Sequence, residues 1–224
     1  MNFYAVFFNH PGEDRFFKMR CALENSIKKN TPDSKLIVKK IDPPRDKNKL
    51  WDNVTKFKAW VEIDDDKPYA LLDCDMLVRE DVSEVFKEDF DIGLTRRTNR
   101  PDRINGGVVF VKPSENTRRF FNDWFEAVLF LMKNRDIYRP LKNKYLGICQ
   151  PAFFYLLENN KLDYLKIKYF PCAVYNACED DWKNEIKPEV KLLHLKTRLL
   201  QDELFKTKCL DYPHIKAEFE RYLQ

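Results

Sequence analysis

The stretch YALLDCDMLV (residues 69–78) places two carboxylates, Asp73 and Asp75, inside a run of apolar residues. The apolar residues on both sides predict a β-strand whose side chains are buried. A buried carboxylate without a partner costs several kcal/mol or shifts its pKa until it is neutral. We therefore expect either a cation beside these two side chains or a strand that ends there in an open cleft.

Apolar strand-like segments alternate with helical segments before this stretch. The strands are NFYAVFFN (residues 2–9) and KLIVKKI (residues 35–41), and a helix is predicted after each of them. This alternation favours an α/β fold with a central, mainly parallel sheet flanked by helices. Ligands bind beyond the carboxyl ends of the strands in such sheets. Asp73 and Asp75, near the end of the third strand, are therefore predicted to lie in the cleft.

The remaining segments continue the pattern. Strands are predicted at residues 89–95, 104–112, 164–170 and 190–196, and helices after Pro113-Ser114, within residues 146–159 and at the end of the chain. The stretch from 133 to 144 is polar and rich in Lys and Arg.

The composition bounds the class of protein. The chain has 224 residues, a length that suits a single domain, and its 40 basic residues nearly match its 36 acidic ones, so no nucleic-acid partner is expected. Six cysteines form no CxxC pair, which is typical of reduced core thiols in a reducing compartment. The longest apolar run, residues 127–132, is too short to span a bilayer. These features predict a cytoplasmic protein without a membrane span.

The Asp-x-Asp triplet of residues 73–75 is one of three in the chain, with those at 64–66 and 89–91. Only this triplet is embedded in an apolar run. Hard divalent cations prefer oxygen ligands, so a metal site is one interpretation, while carboxylates that cap a helix are the other.

Two further segments carry polar groups in apolar strands. INGGVVFV (residues 104–111) has two adjacent glycines, which allow a ligand close to the backbone or mark a bulge. In KLLHLK (residues 191–196), alternation puts His194 and Lys196 on one face of the strand. This pair suits a cleft wall that holds a metal and a phosphate, although a lone strand histidine is commonly a core residue.

With a strand, the DxD triplet, a strand bearing NGG, a helix bearing glutamine and a strand bearing histidine in this order, the chain resembles the GT-A nucleotide-sugar glycosyltransferases. Among them it is most similar to the retaining family-eight enzymes. The resemblance covers nearly the whole chain. It implies the Rossmann-like GT-A fold as one domain over residues 1–224, with a donor-binding half at about 1–112 and an acceptor-side half at about 113–224.

The resemblance also implies an activity. The expected enzyme is a hexosyltransferase-type glycosyltransferase of class EC 2.4. It would move a sugar from a nucleotide-diphosphate donor, with a UDP-sugar favoured, to a glycan, a glycoprotein or another hydroxyl acceptor. Mn²⁺ or Mg²⁺ is the expected cofactor. The short chain is similar to bacterial or viral enzymes, and a viral enzyme would act in the cytoplasm of its host.

Site residues follow from the resemblance position by position. The implied metal ligands are Asp73, Asp75 and His194. The implied catalytic residues are Gln150, which would steady the donor sugar, and Asp75, which would act through the metal. The implied donor-binding residues are Asn9 and Asp42 for the nucleoside, Lys56 and Lys196 for the diphosphate, and Asn105 and Gly106 for the sugar.

The chain departs from the family at two places. Cys149-Gln150 stands where family eight has Asp-Gln, and HLKTRLL lacks the glycine of the family's HxxGxxK pattern. An inverting transfer needs a carboxylate base, and position 149 supplies none. The sequence therefore favours transfer with retention. Glu179, Asp180 and Asp181 are an alternative source of a base, or a solvated loop.

Other classes share parts of this pattern. A sugar nucleotidylyltransferase would need a glycine-rich phosphate loop after the first strand, and HPGEDR does not supply one. A metal-dependent phosphohydrolase could use the same carboxylates. A non-catalytic carbohydrate-binding or scaffold protein would bind no nucleotide.

Overall fold

The computed structural model describes residues 1–8, 14–42, 49–97, 99–145, 147–195 and 212–224. The strands in these ranges are β1 (Asn2–Phe8), β2 (Lys35–Ile41), β3 (Tyr69–Leu72), β4 (Met76–Val78), β5 (Ile92–Arg97), β6 (Arg100–Val111), β7 (Ile167–Pro171) and β8 (Leu192–His194). The helices are α1 (Asp14–Asn30), α2 (Lys49–Val61), α3 (Glu115–Lys133), α4 (Arg135–Tyr145), α5 (Cys149–Glu158), α6 (Cys172–Tyr175), α7 (Glu179–Trp182) and α8 (Pro213–Glu220), with a 3₁₀ turn at Ser83–Lys87.

Six of the described strands form the main sheet, in the order β2-β1-β3-β6-β5-β7. β1 pairs in parallel with β2 and β3, and β5 pairs in parallel with β7, while β6 runs antiparallel to both of its neighbours. The prediction of a mainly parallel sheet is confirmed. β6 is the exception, because it returns between β3 and β5 and so carries residues 105–107 to the carboxyl end of β3.

Apolar side chains cover both faces of the sheet. Phe3, Leu72 and Phe110 face a core closed by α1 and α8, and Leu71, Val109 and Val111 face a second core closed by α2, α3 and α5. Successive residues of a strand point to opposite faces. The near-continuous apolar runs of β3 and β6 therefore reflect burial on both sides.

The predicted strand over residues 69–78 is interrupted. β3 ends at Leu72, a turn follows, and β4 begins at Met76. β4 leaves the main sheet and pairs antiparallel with β8, with Met76 opposite His194. The break turns Asp73 and Asp75 out of the sheet, and the new pairing brings His194 to them from the far end of the sequence.

Two helices show how local sequence sets their boundaries. In α3, the Ser114 hydroxyl accepts from the Thr117 backbone N–H, and the Thr117 hydroxyl accepts from the Ser114 N–H, which is a reciprocal capping box. α4 covers most of the polar, Lys/Arg-rich stretch at residues 133–144, for which the sequence predicted no helix. Tyr145 is its buried residue, packed on Phe154 of α5 at a ring separation of 3.8 Å.

In the described parts of the chain, no helix combines the length and apolar character needed to cross a membrane.

Candidate active site

Asp73 and Asp75 lie in the turn between β3 and β4. The Asp73 N–H donates to the Gly107 carbonyl at 2.8 Å, and the Asp75 carbonyl accepts from the Leu195 N–H at 2.9 Å. These backbone bonds fix the turn between β6 and the segment after β8. The Asp75 side chain is 5% exposed and that of Asp73 is 26% exposed. One carboxylate is thus buried in the floor of the site, and the other reaches its opening.

His194 completes a cluster with the two carboxylates. Its Nε2 lies 3.2 Å from Oδ1 of Asp75 and 3.8 Å from Oδ2 of Asp73, and one ligand atom from each of the three side chains lies within 4.8 Å of the others. Neighbouring ligands of an octahedral Mg²⁺ ion, each about 2.1 Å from it, are about 3 Å apart. The cluster therefore fits a small divalent cation in its spacing and its two oxygen ligands. Imidazole suits Mn²⁺ as well.

Gly107 and Asn176 enclose the His194 ring. A Cβ atom at Gly107 would lie 2.4 Å from Nδ1 of His194 and 3.0 Å from Oδ1 of Asn176. Only a residue without a side chain fits there, and this requirement explains the second glycine of the NGG segment. The Asn176 amide oxygen lies 2.8 Å from His194 Nδ1.

Lys56 projects from α2 onto Asp73. Its Nζ lies 2.6 Å from Oδ1 of Asp73 and 4.6 Å from the ring centroid of Trp60. Burial lowers the pKa of Lys56, but the nearby Asp73 carboxylate outweighs this and leaves the pKa above its ordinary value. The ammonium therefore stays charged at neutral pH and supplies the cation that the sequence led us to expect beside the carboxylates.

A cavity of about 160 Å³ opens beside Asp73. Its walls come from α2, β6, α3 and the start of α5; the lining residues are Asn53, Lys56, Phe57, Asp73, Asn105, Gly106, Gly107, Trp124, Gly147, Ile148, Cys149 and Gln150. Five predicted site residues thus share one cavity, although they are scattered along the sequence. A larger groove of about 620 Å³ between α3 and the end of α5, which includes Phe130, Tyr155 and Tyr164, shares no lining residue with it.

Gln150 is held at the back of this cavity. With its amide oriented so that the nitrogen faces two carbonyls, it donates to Ile104 at 3.0 Å and to Tyr145 at 2.7 Å. Both amide protons are then engaged by the main chain, so the side chain can serve a ligand only as an acceptor, through its oxygen. Burial raises the pKa of the neighbouring Cys149 thiol to about 12, which keeps the thiol protonated at neutral pH.

The structure places the other predicted donor-binding residues in different environments. Asn105 is 3% exposed, and its amide donates to the Cys178 sulfur at 2.8 Å, whereas at Gly106 a Cβ atom would find no neighbour within 4 Å. Asp42 is exposed directly after β2. Asn9 and Lys196 lie outside the described residues.

Asn176, Asn53 and the structural role of Gly107 were not predicted from the sequence. Asn176 sits in YNAC, between two cysteines, and nothing in that pattern marks it as a neighbour of His194. Gly107 was visible as half of a glycine pair. Which glycine faces the histidine depends on the register of β6, which the sequence does not give.

The acidic segment of residues 179–181 forms α7 and does not line the cavity. Asp181 accepts from the Cys178 N–H, Glu179 accepts from the Tyr212 hydroxyl, and Asp180 is paired with Arg97 at 3.5 Å. Capping and surface pairing account for all three carboxylates.

Comparison with known proteins identifies the family. The family model described as nucleotide-diphospho-sugar transferase matches residues 64–210, more than half of the chain. That range contains both aspartates, the NGG segment, Gln150 and His194. Among curated proteins, no sequence matches this chain significantly.

Solved structures show the same fold at low sequence identity. A glycosyltransferase involved in glycosylation of the major capsid of the virus PBCV-1 is similar with a TM-score of 0.61 and 10% identity, over 97% of this chain and 100% of the other. The galactosyltransferase LgtC, solved with donor and acceptor sugar analogues, has a TM-score of 0.57 and 12% identity, over 100% and 95%. GlyE of Streptococcus pneumoniae TIGR4 has a TM-score of 0.59 and 12% identity, over 98% and 62%. This chain belongs to the nucleotide-diphospho-sugar transferase family and is a glycosyltransferase.

Proposed function

We propose that the protein transfers a sugar from a UDP-sugar to a hydroxyl of a glycan acceptor, that the reaction depends on a divalent metal, and that the anomeric configuration is retained. One observation carries the proposal. Asp73, Asp75 and His194 come together in one cluster, and Asp73 also lines a cavity whose walls include Lys56 and Gln150. A diphosphate bound beside Asp73 would place the sugar within the cavity.

Asp73, Asp75 and His194 would hold Mn²⁺ or Mg²⁺. When bound, the metal supplies a Lewis acid that neutralises charge developing on the leaving diphosphate. Lys56 binds Asp73 and orients it. Its ammonium also lies close enough to the opening of the site to attract the donor phosphates. We assign the nucleoside to the carboxyl edge of β1 and β2, where Asp42 lies, and where Asn9 follows in the sequence.

The donor sugar would occupy the cavity between Gly106 and Gln150. Gly106 leaves open space beside the backbone, and the Gln150 oxygen can accept a hydrogen bond from a sugar hydroxyl. Asn105 contributes through its buried side chain, which anchors β6 to Cys178. Residues 1–112 would then form most of the donor site, and residues 113–224 most of the acceptor side.

The residues of the cavity wall support retention. Asp73 is the only carboxylate among its described lining residues, and that side chain is already engaged by Lys56. An inverting transfer needs a second carboxylate to deprotonate the acceptor hydroxyl. In a front-side transfer the leaving phosphate accepts that proton, and the chain has only to hold donor and acceptor in place.

Calorimetric titration tests the proposal. UDP and GDP are titrated into the wild type with and without Mn²⁺, and then into Asp75→Ala. We expect UDP binding that requires Mn²⁺ and is lost in the variant. Asp89→Ala is the matched control, because Asp89 belongs to another Asp-x-Asp triplet and forms an exposed pair with Lys166.

Binding of GDP in place of UDP would correct the donor, and no nucleotide binding in any condition would contradict the proposed donor chemistry. Analysis of the reaction products distinguishes a retaining glycosyltransferase from a phosphohydrolase and from an inverting glycosyltransferase. A phosphohydrolase would release phosphate from esters without an acceptor sugar. An inverted anomeric centre in the product would contradict retention.

A further inference from the structure

Asn176 lies directly after α6, between His194 and residues of β5 and β6 in the main sheet. Its side chain is fully buried, and its amide oxygen is 2.8 Å from Nδ1 of His194. The opposite end of the same amide makes two hydrogen bonds. Nδ2 of Asn176 donates to the Thr95 hydroxyl at 2.8 Å and to the Asn105 carbonyl at 3.1 Å.

These partners fix which end of the Asn176 amide faces the histidine. The Asn105 carbonyl can only accept, and the Thr95 hydroxyl already donates its proton to that same carbonyl at 2.9 Å. Both groups therefore require a donor from Asn176, so the NH₂ group points to them. The amide oxygen must then face His194, and an amide oxygen only accepts. Nδ1 of His194 is consequently the donor and carries a proton.

We infer that Asn176 is a positioning residue that keeps the proton of His194 on Nδ1 and thereby directs Nε2 to the metal. Nε2 is the ring nitrogen that lies 3.2 Å from Asp75 and 3.8 Å from Asp73. The hydrogen bond made by one ring nitrogen of a ligating histidine sets which nitrogen can bind the metal. This inference deepens the proposed function and rests on it for the identity of the site.

The backbone around Asn176 is suited to this role. Its N–H donates to the Cys172 carbonyl at 2.9 Å, and its own carbonyl accepts from the thiols of Cys172 at 3.0 Å and Cys178 at 3.1 Å. His194 is held in turn, since its N–H donates to the Ala177 carbonyl at 2.8 Å. The two residues are thus fixed relative to each other through both backbone and side chain.

Nitrogen-detected NMR tests the proton position in the metal-free protein. The chain has three histidines, and comparison with His194→Gln assigns the His194 signals. In the wild type we expect Nδ1 of His194 to carry a proton that exchanges slowly with solvent. This expectation is the same whether or not Nε2 also carries a proton. In Asn176→Ala that protection should be lost. An Nδ1 without a proton in the wild type would overturn the inference.

Mn²⁺ affinity, measured by calorimetry, tests the consequence for the metal. Loss of such an outer partner of a ligating histidine weakens metal binding by about 10- to 100-fold, and we expect this for Asn176→Ala. Thr95→Val, which does not touch His194 and removes one of the two acceptors that orient Asn176, should give a smaller loss. Thr117→Ala, a buried polar residue of the α3 cap, is the stability-matched control and should leave the affinity unchanged.

The outcomes separate the inference from the function on which it rests. Wild-type affinity in both Asn176→Ala and Thr95→Val would overturn the positioning role, and Thr95→Val alone decides this if Asn176→Ala does not fold. A wild type that binds no divalent metal would contradict the proposed function, and the NMR result would then decide the inference about Nδ1.

Discussion

At the scale of single residues, each carboxylate of the β3–β4 turn has a polar side chain beside it. Asp73 pairs with Lys56, and Asp75 lies against His194. A buried carboxylate is tolerated when it is paired and hydrogen-bonded. The pair with Lys56 is therefore the physical reason that this apolar segment can carry the Asp73 carboxylate.

The two adjacent glycines allow a matched test. In Gly107→Ala the new methyl group would lie 2.4 Å from the His194 ring, so we expect His194 to be displaced, the protein to lose about 1–3 kcal/mol of stability, and Mn²⁺ binding to weaken. Urea denaturation and calorimetry measure the two effects.

Gly106→Ala is the control for this prediction, because a Cβ atom there meets no neighbour within 4 Å. It should keep the stability and the Mn²⁺ affinity of the wild type while raising the KM for the donor, since the methyl group enters the proposed sugar site. Equal stability and equal Mn²⁺ affinity in the two variants would contradict the role of Gly107.

Cys149 predicts a pH dependence. Burial raises the pKa of its thiol to about 12, so the reactive thiolate is scarce at neutral pH and increases as the pH rises towards 12. At pH 8 we expect alkylation of Cys149 in the folded protein to be about 40- to 100-fold slower than in the urea-unfolded chain, where an ordinary thiol pKa is near 8.5 and the thiolate is less nucleophilic. Mass spectrometry of the Cys149 peptide measures both rates.

The folded protein should also show a rate that climbs continuously between pH 8 and 10. The unfolded chain is the internal control, and its rate should level off above pH 9. If the alkylation rate of the folded protein levels off at the same pH as that of the unfolded chain, burial does not raise the pKa of the Cys149 thiol.

At the scale of elements, a hydrogen bond joins α3 to the start of α5. The Trp124 indole N–H donates to the Cys149 carbonyl at 2.9 Å, next to Gln150. Trp124 also packs on Phe57 of α2 at a ring separation of 4.6 Å. The three helices that cover one face of the sheet therefore meet at the wall of the cavity, and their packing sets its width.

Trp124→Phe tests how much the hydrogen bond between α3 and α5 contributes to stability. The substitution removes both ring volume and the hydrogen bond, leaving the partly buried Cys149 carbonyl without that donor. Trp60→Phe is the control, since it removes the same volume from the same cluster and its indole N–H has no hydrogen-bond partner among the described residues. We expect Trp124→Phe to lose roughly 1 kcal/mol more stability in urea than Trp60→Phe. Equal losses would contradict an energetic role for the bond.

At the scale of the whole molecule, the site exists because two sheets meet. The main sheet supplies Asp73 at the end of β3 and Gly107 on β6, and the small β4–β8 sheet supplies His194. α2 adds Lys56 from one side and α5 adds Gln150 from the other. Each contributing segment is distant from the others in sequence, so the cluster forms only when the complete fold does.

The sequence by itself predicted most of the elements and the membership of a glycosyltransferase family. Apolar runs and helical spacing predicted most strands and helices, because a strand buried on both faces and a helix with one buried face need those patterns. The carboxylates within residues 69–78 indicated a cleft, because an unpartnered carboxylate is costly to bury. No helix was predicted from the sequence at residues 133–144, because α4 is mostly polar and its buried residue is Tyr145.

Only the tertiary structure decided how these parts meet. The break after Leu72, the pairing of Met76 with His194 and the choice of Gly107 as the residue against the histidine all depend on strand register, which arises from long-range pairing and leaves no local pattern. The contact between Asn176 and His194 is of the same kind. Local sequence specifies which groups are available, while the packing of distant segments specifies which of them touch.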